Sequence, residues 1–328
     1  ARLETEVGMP LLEQDGRRLR LTAAGHRVAR HAAQVMDLEE GVRGELARAR
    51  PQAGTIRIAT LETGARALLP FALTAVGARD PDVRIEASVV PPEHGLAELE
   101  ARGFDLAMAE QYPGYSRPHS DRLHRETLGT DAMRLAVPAH SDIQTLADTR
   151  HVPWVMEPEG TAARRWAIQQ CRVAGFEPDI RFHSADLGVH IHLIRAGHAV
   201  SLLPDLVWTT GAEGIRRIAL SGPFHRELFT SVRHASGGHP AIMALREALR
   251  QAFLEVQSRR EGGARRERRR GGSEARTAHT ASAGTDRRRT VRPVSTGLRW
   301  QSGRSAPAVD AAGCRPAGRT DRASKEET

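Results

Sequence analysis

An alternation of strand and helix limits this chain more than any other feature. Thr55 to Thr60 reads as a strand, Gly64 to Arg79 as a helix, Val83 to Val90 as a strand, His94 to Arg102 as a helix and Phe104 to Ala109 as a strand. A βαβαβ run of this kind closes as a parallel sheet with helices on its faces. A second set follows, with strands at 134–138, 152–156, 180–183 and 200–203 and helices at 161–174 and 185–196. Further strands are expected at 215–220 and 228–232, and a closing helix at 240–256. Two α/β lobes with a cleft between them result. Lobe I is expected to hold residues 55–140 plus 235–257 and lobe II residues 141–234, with chain crossings near 138–142 and 233–239.

Residues 1–54 carry a different pattern. Leu3 to Val7 is a helix end stopped by Gly8. A short strand, a tight turn at Asp15-Gly16-Arg17-Arg18 and a second strand follow. Thr22 then caps a helix. Val28, Ala32, Val35, Leu38, Val42 and Leu46 recur at helical spacing, which predicts one long amphipathic helix over 22–50. Gly41 and Gly44 each cost it about 1 kcal/mol relative to alanine, so it needs a packing partner. Arg50-Pro51-Gln52-Ala53-Gly54 breaks it and forms a hinge.

Composition separates the body from the tail. Residues 258–328 hold 17 Arg and one Lys against 8 acids, a balance of +10, which leaves −2 for residues 1–257. The basic charge therefore belongs to the tail, whose Arg, Gly, Ser, Thr and Ala are too poor in large apolar side chains to form a core; disorder is expected there. Cys171 and Cys314 offer neither a disulfide framework nor a metal quartet. No apolar run approaches the roughly 18 residues of a membrane helix.

The ordered series Leu3-Glu4-Thr5-Glu6-Val7-Gly8, Pro10-Leu11-Leu12 and Gly16-Arg17-Arg18-Leu19-Arg20-Leu21-Thr22-Ala23-Ala24-Gly25 resembles the end of the winged helix-turn-helix of LysR-type transcriptional regulators. The resemblance extends over residues 1–257. It implies an α/β, two-lobed, periplasmic-binding-protein-like effector domain, preceded by a partial winged helix-turn-helix (1–21) and a linker helix with hinge (22–54). It also implies operator DNA and a small-molecule effector as partners, a homodimer or homotetramer formed through the linker helix, a bacterial cytoplasmic location, and no enzymatic role or cofactor. In the family the two helices before this series and most of the recognition helix precede the position of Ala1, so the chain reads as truncated. Leu12 and Gln14 stand where the family usually has phenylalanine and arginine, which removes one expected phosphate contact.

Arg17 and Arg18, at the tip of the wing, can reach phosphates or the minor groove; an ordinary solvated turn is the alternative. Arg2, at the recognition-helix end, is assigned to the DNA backbone by the resemblance. Ligands of open α/β sheets bind where loops and helix N-termini follow the strands. Those loops are Thr60-Leu61-Glu62-Thr63-Gly64 and Glu157-Pro158-Glu159-Gly160-Thr161, and both match effector-contacting loops of the family. Thr60, Glu62, Thr63, Glu110, Gly160, Thr161, Asp186, Leu203 and Pro204 are the candidate effector contacts, with simple N-capping the rival for Thr63 and Thr161 and core packing the rival for Leu203 and Pro204. Glu62, Glu110 and Asp186 make the cleft acidic and favour an amine-bearing or polyhydroxylated effector. His190 and His192 diverge by about 200° on a helix and lack further ligands, so no metal is expected. No nucleophile elbow, phosphate loop or dinucleotide turn is present.

Overall fold

The computed structural model describes residues 2–49, 54–115, 120–208 and 212–281. The chain opens with helix α1 (Arg2–Val7) and a hairpin of β1 (Leu12–Asp15) and β2 (Arg18–Leu21), paired in register Leu12 to Leu21 and Asp15 to Arg18. Helix α2 (Ala23–Ala49) follows. Glu4 ties α1 to the hairpin: one carboxylate oxygen accepts the Leu11 and Leu12 amides at 2.9 and 3.2 Å. Those bonds to the ionised form hold its carboxyl down at about 2. Thr22 caps α2 by accepting the Gly25 amide at 3.0 Å. Gly25 lets α2 cross the hairpin closely, since a Cβ there would lie 2.1 Å from the Leu11 carbonyl oxygen. The expected hinge at 50–53 lies outside the described residues.

The next strands are β3 (Gly54–Thr60), β4 (Val83–Val89) and β5 (Leu106–Gln111), with β3 parallel to both others. Helix α5 (Pro92–Glu100) packs on one face, and α3 (Glu62–Ala67) and α4 (Leu69–Arg79) on the other. The single helix expected over 64–79 is two. Pro70 has no N–H to give the Arg66 carbonyl, and the helix restarts at Leu69.

The second half contributes β6 (Leu123–Pro138), β7 (Pro153–Met156), α6 (Ala162–Val173), β8 (Asp179–His183), α7 (Leu187–Arg195), β9 (Ser201–Pro204), β10 (Ile215–Ala219), β11 (His225–Arg233) and α8 (Pro240–Ala281). Strand β6 joins the halves. Its residues Leu123–Ala132 pair with β11, which also pairs with β5, whereas Met133–Pro138 pair with β9 and β10. The outward passage therefore falls at 129–133 and not at 138–142, and β11 belongs to the first sheet, so the return precedes His225 and not residues 233–239. Gly129 marks the passage, with φ 154° beside a shift in register, and a Cβ there would lie 2.2 Å from the Phe253 ring.

Two sets of buried apolar residues match the two halves. One joins Ile58, Met108, Leu228 and Val232 of the first sheet to Leu245, Leu249 and Phe253 of α8. The other gathers Leu135, Trp154, Met156, Trp166 and Val200. Contacts divide the chain into Ala1–Arg270 and Gly271–Thr328, and of the second unit only helical residues 271–281 are described. Helix α8 thus runs past Val256, where the apolar spacing ends, because arginine, glutamate and alanine are good helix formers and no proline intervenes. Residues 258–281, where disorder is expected, carry the continuation of α8; the rest of that expectation lies outside the described residues.

Candidate functional site

A cavity of about 400 Å³ opens between the two halves. The first half lines it with Leu61, Glu62 and Thr63 after β3, the Val89–His94 turn, Glu110 of β5 and Arg226 of β11; the second adds Glu157–Thr161, Ala185 and Leu187. Polar bonds span the opening. Glu62 accepts the Leu187 amide at 2.7 Å, at the start of α7, and Glu93 accepts the Ala162 amide at 3.1 Å, at the start of α6. Carboxylates suit helix N-termini, where amides are unpaired and the dipole is positive.

At the base of the cavity Arg226 is buried among acids. It donates to Glu110 and to Asp131 at 2.9 and 3.1 Å, and to the Thr63 hydroxyl at 2.7 Å. Burial works against its charge, but Glu110 and Asp131 outweigh burial and push its pKa up. Asp131 also accepts the Leu206 amide at 3.1 Å, yet burial still raises its pKa against the pull of Arg226. The Glu157 side chain accepts no hydrogen bond among the described residues. Burial, then repulsion from Glu110, push its carboxyl up to about 8, against the pull of Arg226.

The candidate residues divide clearly. Glu62, Thr63, Glu110, Gly160 and Thr161 line the cavity together. Thr161 is also the N-cap of α6, accepting the Arg164 amide at 3.3 Å. Thr60 is a correction: it is buried in phase with Ile56 and Ile58, its hydroxyl against the Leu61 carbonyl and the Met108 sulfur. Asp186 caps α7 through the Gly188 amide at 2.7 Å and faces Arg66 at 3.6 Å, beside the cavity and not in its lining. Leu203 is a core residue and Pro204 borders a void of about 20 Å³ under the cleft. Arg226, Asp131 and Glu93 lie outside the residues and loops read from the sequence, and Glu157 stands there only as a member of its loop. Arg226 left a signal, since it shares the phase of Leu228 and Thr230, all buried; an arginine in that phase of a strand must be paired.

Arg17 and Arg18 are exposed at the hairpin tip, and exposed Arg2 pairs with Glu6 at 3.2 Å. His190 is buried, its Nε2 2.9 Å from the Ser184 carbonyl, while exposed His192 lies 2.7 Å from the Gly188 carbonyl. Among the described residues no His, Cys, Asp and Glu group is arranged to hold a metal ion, and no helix is long and apolar enough to cross a membrane.

Residues 49–254 match the LysR substrate binding domain family. The transcriptional dual regulator GltC of Bacillus subtilis is 27% identical over 243 residues, covering 72% of this chain and 78% of GltC. Among solved structures, a cysteine-to-aspartate variant of full-length OxyR from Pseudomonas aeruginosa superposes with a TM-score of 0.59 at 18% identity, over 76% of this chain and 82% of OxyR. CbnR in complex with its target DNA gives 0.51 at 22% identity, over 76% and 87%. These likenesses show a shared fold, and with the family match spanning most of the chain this protein belongs to the LysR-type transcriptional regulators.

Proposed function

We propose that this chain is a cytoplasmic, DNA-binding regulator whose hold on an operator is set by a small molecule in the cleft. The observation that carries the reading is the cavity itself: it is lined from both lobes and spanned by hydrogen bonds from Glu62 and Glu93 that a ligand can replace. A ligand that binds the open and closed arrangements with different affinity shifts their populations by that difference. The linker helix α2 exposes Val35, Leu38, Val42 and Leu46, an apolar stripe that suits a second copy of the chain and supports a homodimer or homotetramer. Arg17 and Arg18, exposed at the tip of the wing, support contact with phosphates, and GltC and the DNA-bound CbnR supply the analogy for a regulator's operator.

The test is selection from random duplex DNA followed by footprinting. Binding that falls with salt and shows little sequence preference is expected of this chain, whose match to the family's DNA-reading unit begins at the last residues of the recognition helix, with Arg17→Ala and Arg18→Ala each lowering the salt slope of binding by about 1. Duplex DNA binding that is absent, or that neither variant weakens, would replace this reading with a ligand-binding module that has no DNA role.

A further inference from the structure

Two helix N-termini at the cleft are occupied by the protein's own side chains. The α7 N-terminus is filled by Glu62 on the Leu187 amide and Asp186 on the Gly188 amide; the α6 N-terminus by Glu93 on the Ala162 amide and Thr161 on the Arg164 amide. The arginine in the lining is engaged by Glu110 and Asp131. An effector carboxylate would have to displace one of the protein's own carboxylates to reach the α6 or α7 N-terminus, and would add a charge to a cavity already lined by five glutamates and one arginine.

Glu157 is the group left over. It lies in the loop between β7 and α6, its side chain bonded to no described residue, and it faces Glu110, Glu93 and Glu62 across the cavity. The other charged or titratable groups around it are Arg226, Tyr112, Glu159, His94, His190 and Arg164, the last bonded to the Glu157 backbone carbonyl at 3.2 Å. The apolar wall is aliphatic: Leu61, Val89, Val90, Pro91, Pro92 and Leu187. A cavity of about 400 Å³ falls within the range of small-molecule sites.

We propose that the effector is a small aliphatic ammonium compound, its nitrogen held by Glu157 with Glu110 and Glu93 around it and its chain against the Leu61, Val90 and Leu187 wall. This rests on the cleft being the effector site, as proposed above. A cation at Glu157 draws its carboxyl down from about 8, so binding at neutral pH releases a proton and strengthens from pH 6 to pH 8. A neutral polyol can hydrogen-bond to the same groups but cannot offset their charge.

Isothermal titration of the full chain in amine-free phosphate buffer separates the possibilities. The probes are 1,4-diaminobutane and n-pentylamine, 1,5-pentanediol and glycerol, and glutarate and benzoate. The ammonium probes are expected to bind, the diol and glycerol at least tenfold more weakly, and the carboxylates not at all. Glu157→Gln is expected to weaken ammonium binding at least tenfold while melting higher than the native chain at pH 8, a pairing that simple damage to the fold would not produce. Binding of glutarate or benzoate without the amines, or of the diol as tightly as the amines, would overturn the ammonium assignment and leave the effector cleft standing. Ammonium binding undiminished in Glu157→Gln would overturn Glu157 as its holder. Silence from all probe classes would remove both the assignment and the cleft reading.

Discussion

The cleft and the seam between α2 and lobe I are both built from carboxylates and arginines, and they differ in balance. At the seam, Glu40 of α2 accepts Arg233 at 2.7 Å and also pairs with Arg102, which reaches Asp37 as well; Arg233 further bonds Asp105 at 3.3 Å and the Leu99 carbonyl at 2.7 Å. Burial of Glu40 resists its charge, but Arg233 and Arg102 more than offset this and hold its carboxyl below the usual range. In the cleft, glutamates outnumber arginine, and Glu157 and Glu62 are pushed up, burial being the main cause in both. The seam favours ionisation and the cleft resists it. A lock with matched charges fixes the linker helix, whereas a site with surplus negative charge is poised for a cation.

The largest effect is expected at the one position where the cleft resembles the seam. Arg226→Met removes the arginine between buried Glu110 and Asp131, leaving Asp131 only Arg260 at 3.7 Å, which costs about 3–5 kcal/mol. Urea unfolding at pH 7 measures it. Adding Asp131→Asn and Glu110→Gln should recover part of the loss; a loss of under 1 kcal/mol for the single variant would break the view of Arg226 as the cleft's structural charge.

The pH dependence sharpens the contrast because the signs oppose. The raised carboxyl of Glu157 contributes stability that is complete below the ordinary carboxylate value and lost as pH rises through about 8. Glu40 contributes stability present above the ordinary value and lost as pH falls through its lowered one. Glu157→Gln should therefore stabilise by about 2 kcal/mol at pH 8, roughly 4–8 °C in Tm, and by nothing at pH 4. Glu40→Gln should destabilise at pH 7 by about 1–3 kcal/mol, and the loss should shrink as pH falls toward the lowered value. Thermal melts of both variants across pH 4–8 check this, and parallel profiles would contradict it.

The layered fold was legible because apolar periodicity survives in every short strand and amphipathic helix. Strand β6 was half legible: its residues His124–Asp131 are largely polar, carry Gly129 at an irregular register, and are held by pairing to β11, which only the tertiary fold supplies. The loops of the site could be read from strand ends, and Thr60 should have been assigned to the core from its phase with Ile56 and Ile58. Glu93 and Asp131 gave no local sign. Their partners, the Ala162 amide and Arg226, lie far away in sequence.

The smallest effect is expected at Arg102, where the seam's chemistry opposes its backbone. Arg102 takes φ 67° just after α5, a conformation that costs an ordinary side chain about 1 kcal/mol and glycine almost nothing. It is held there by Asp37 and Glu40 of α2. Arg102→Gly relieves the backbone while removing the pairs, so the two should nearly cancel, within about 0.5 kcal/mol, in global stability. The seam itself should loosen: amide exchange along α2 around Asp37 and Glu40 should quicken while exchange in β5 and β11 stays unchanged. Arg102→Ala keeps the backbone cost and loses the same pairs, so it should fall below both. Equal stability of the glycine and alanine variants would remove backbone strain from this account, and unchanged α2 exchange in both would leave Arg233 alone as the residue that fastens the linker helix to the lobe.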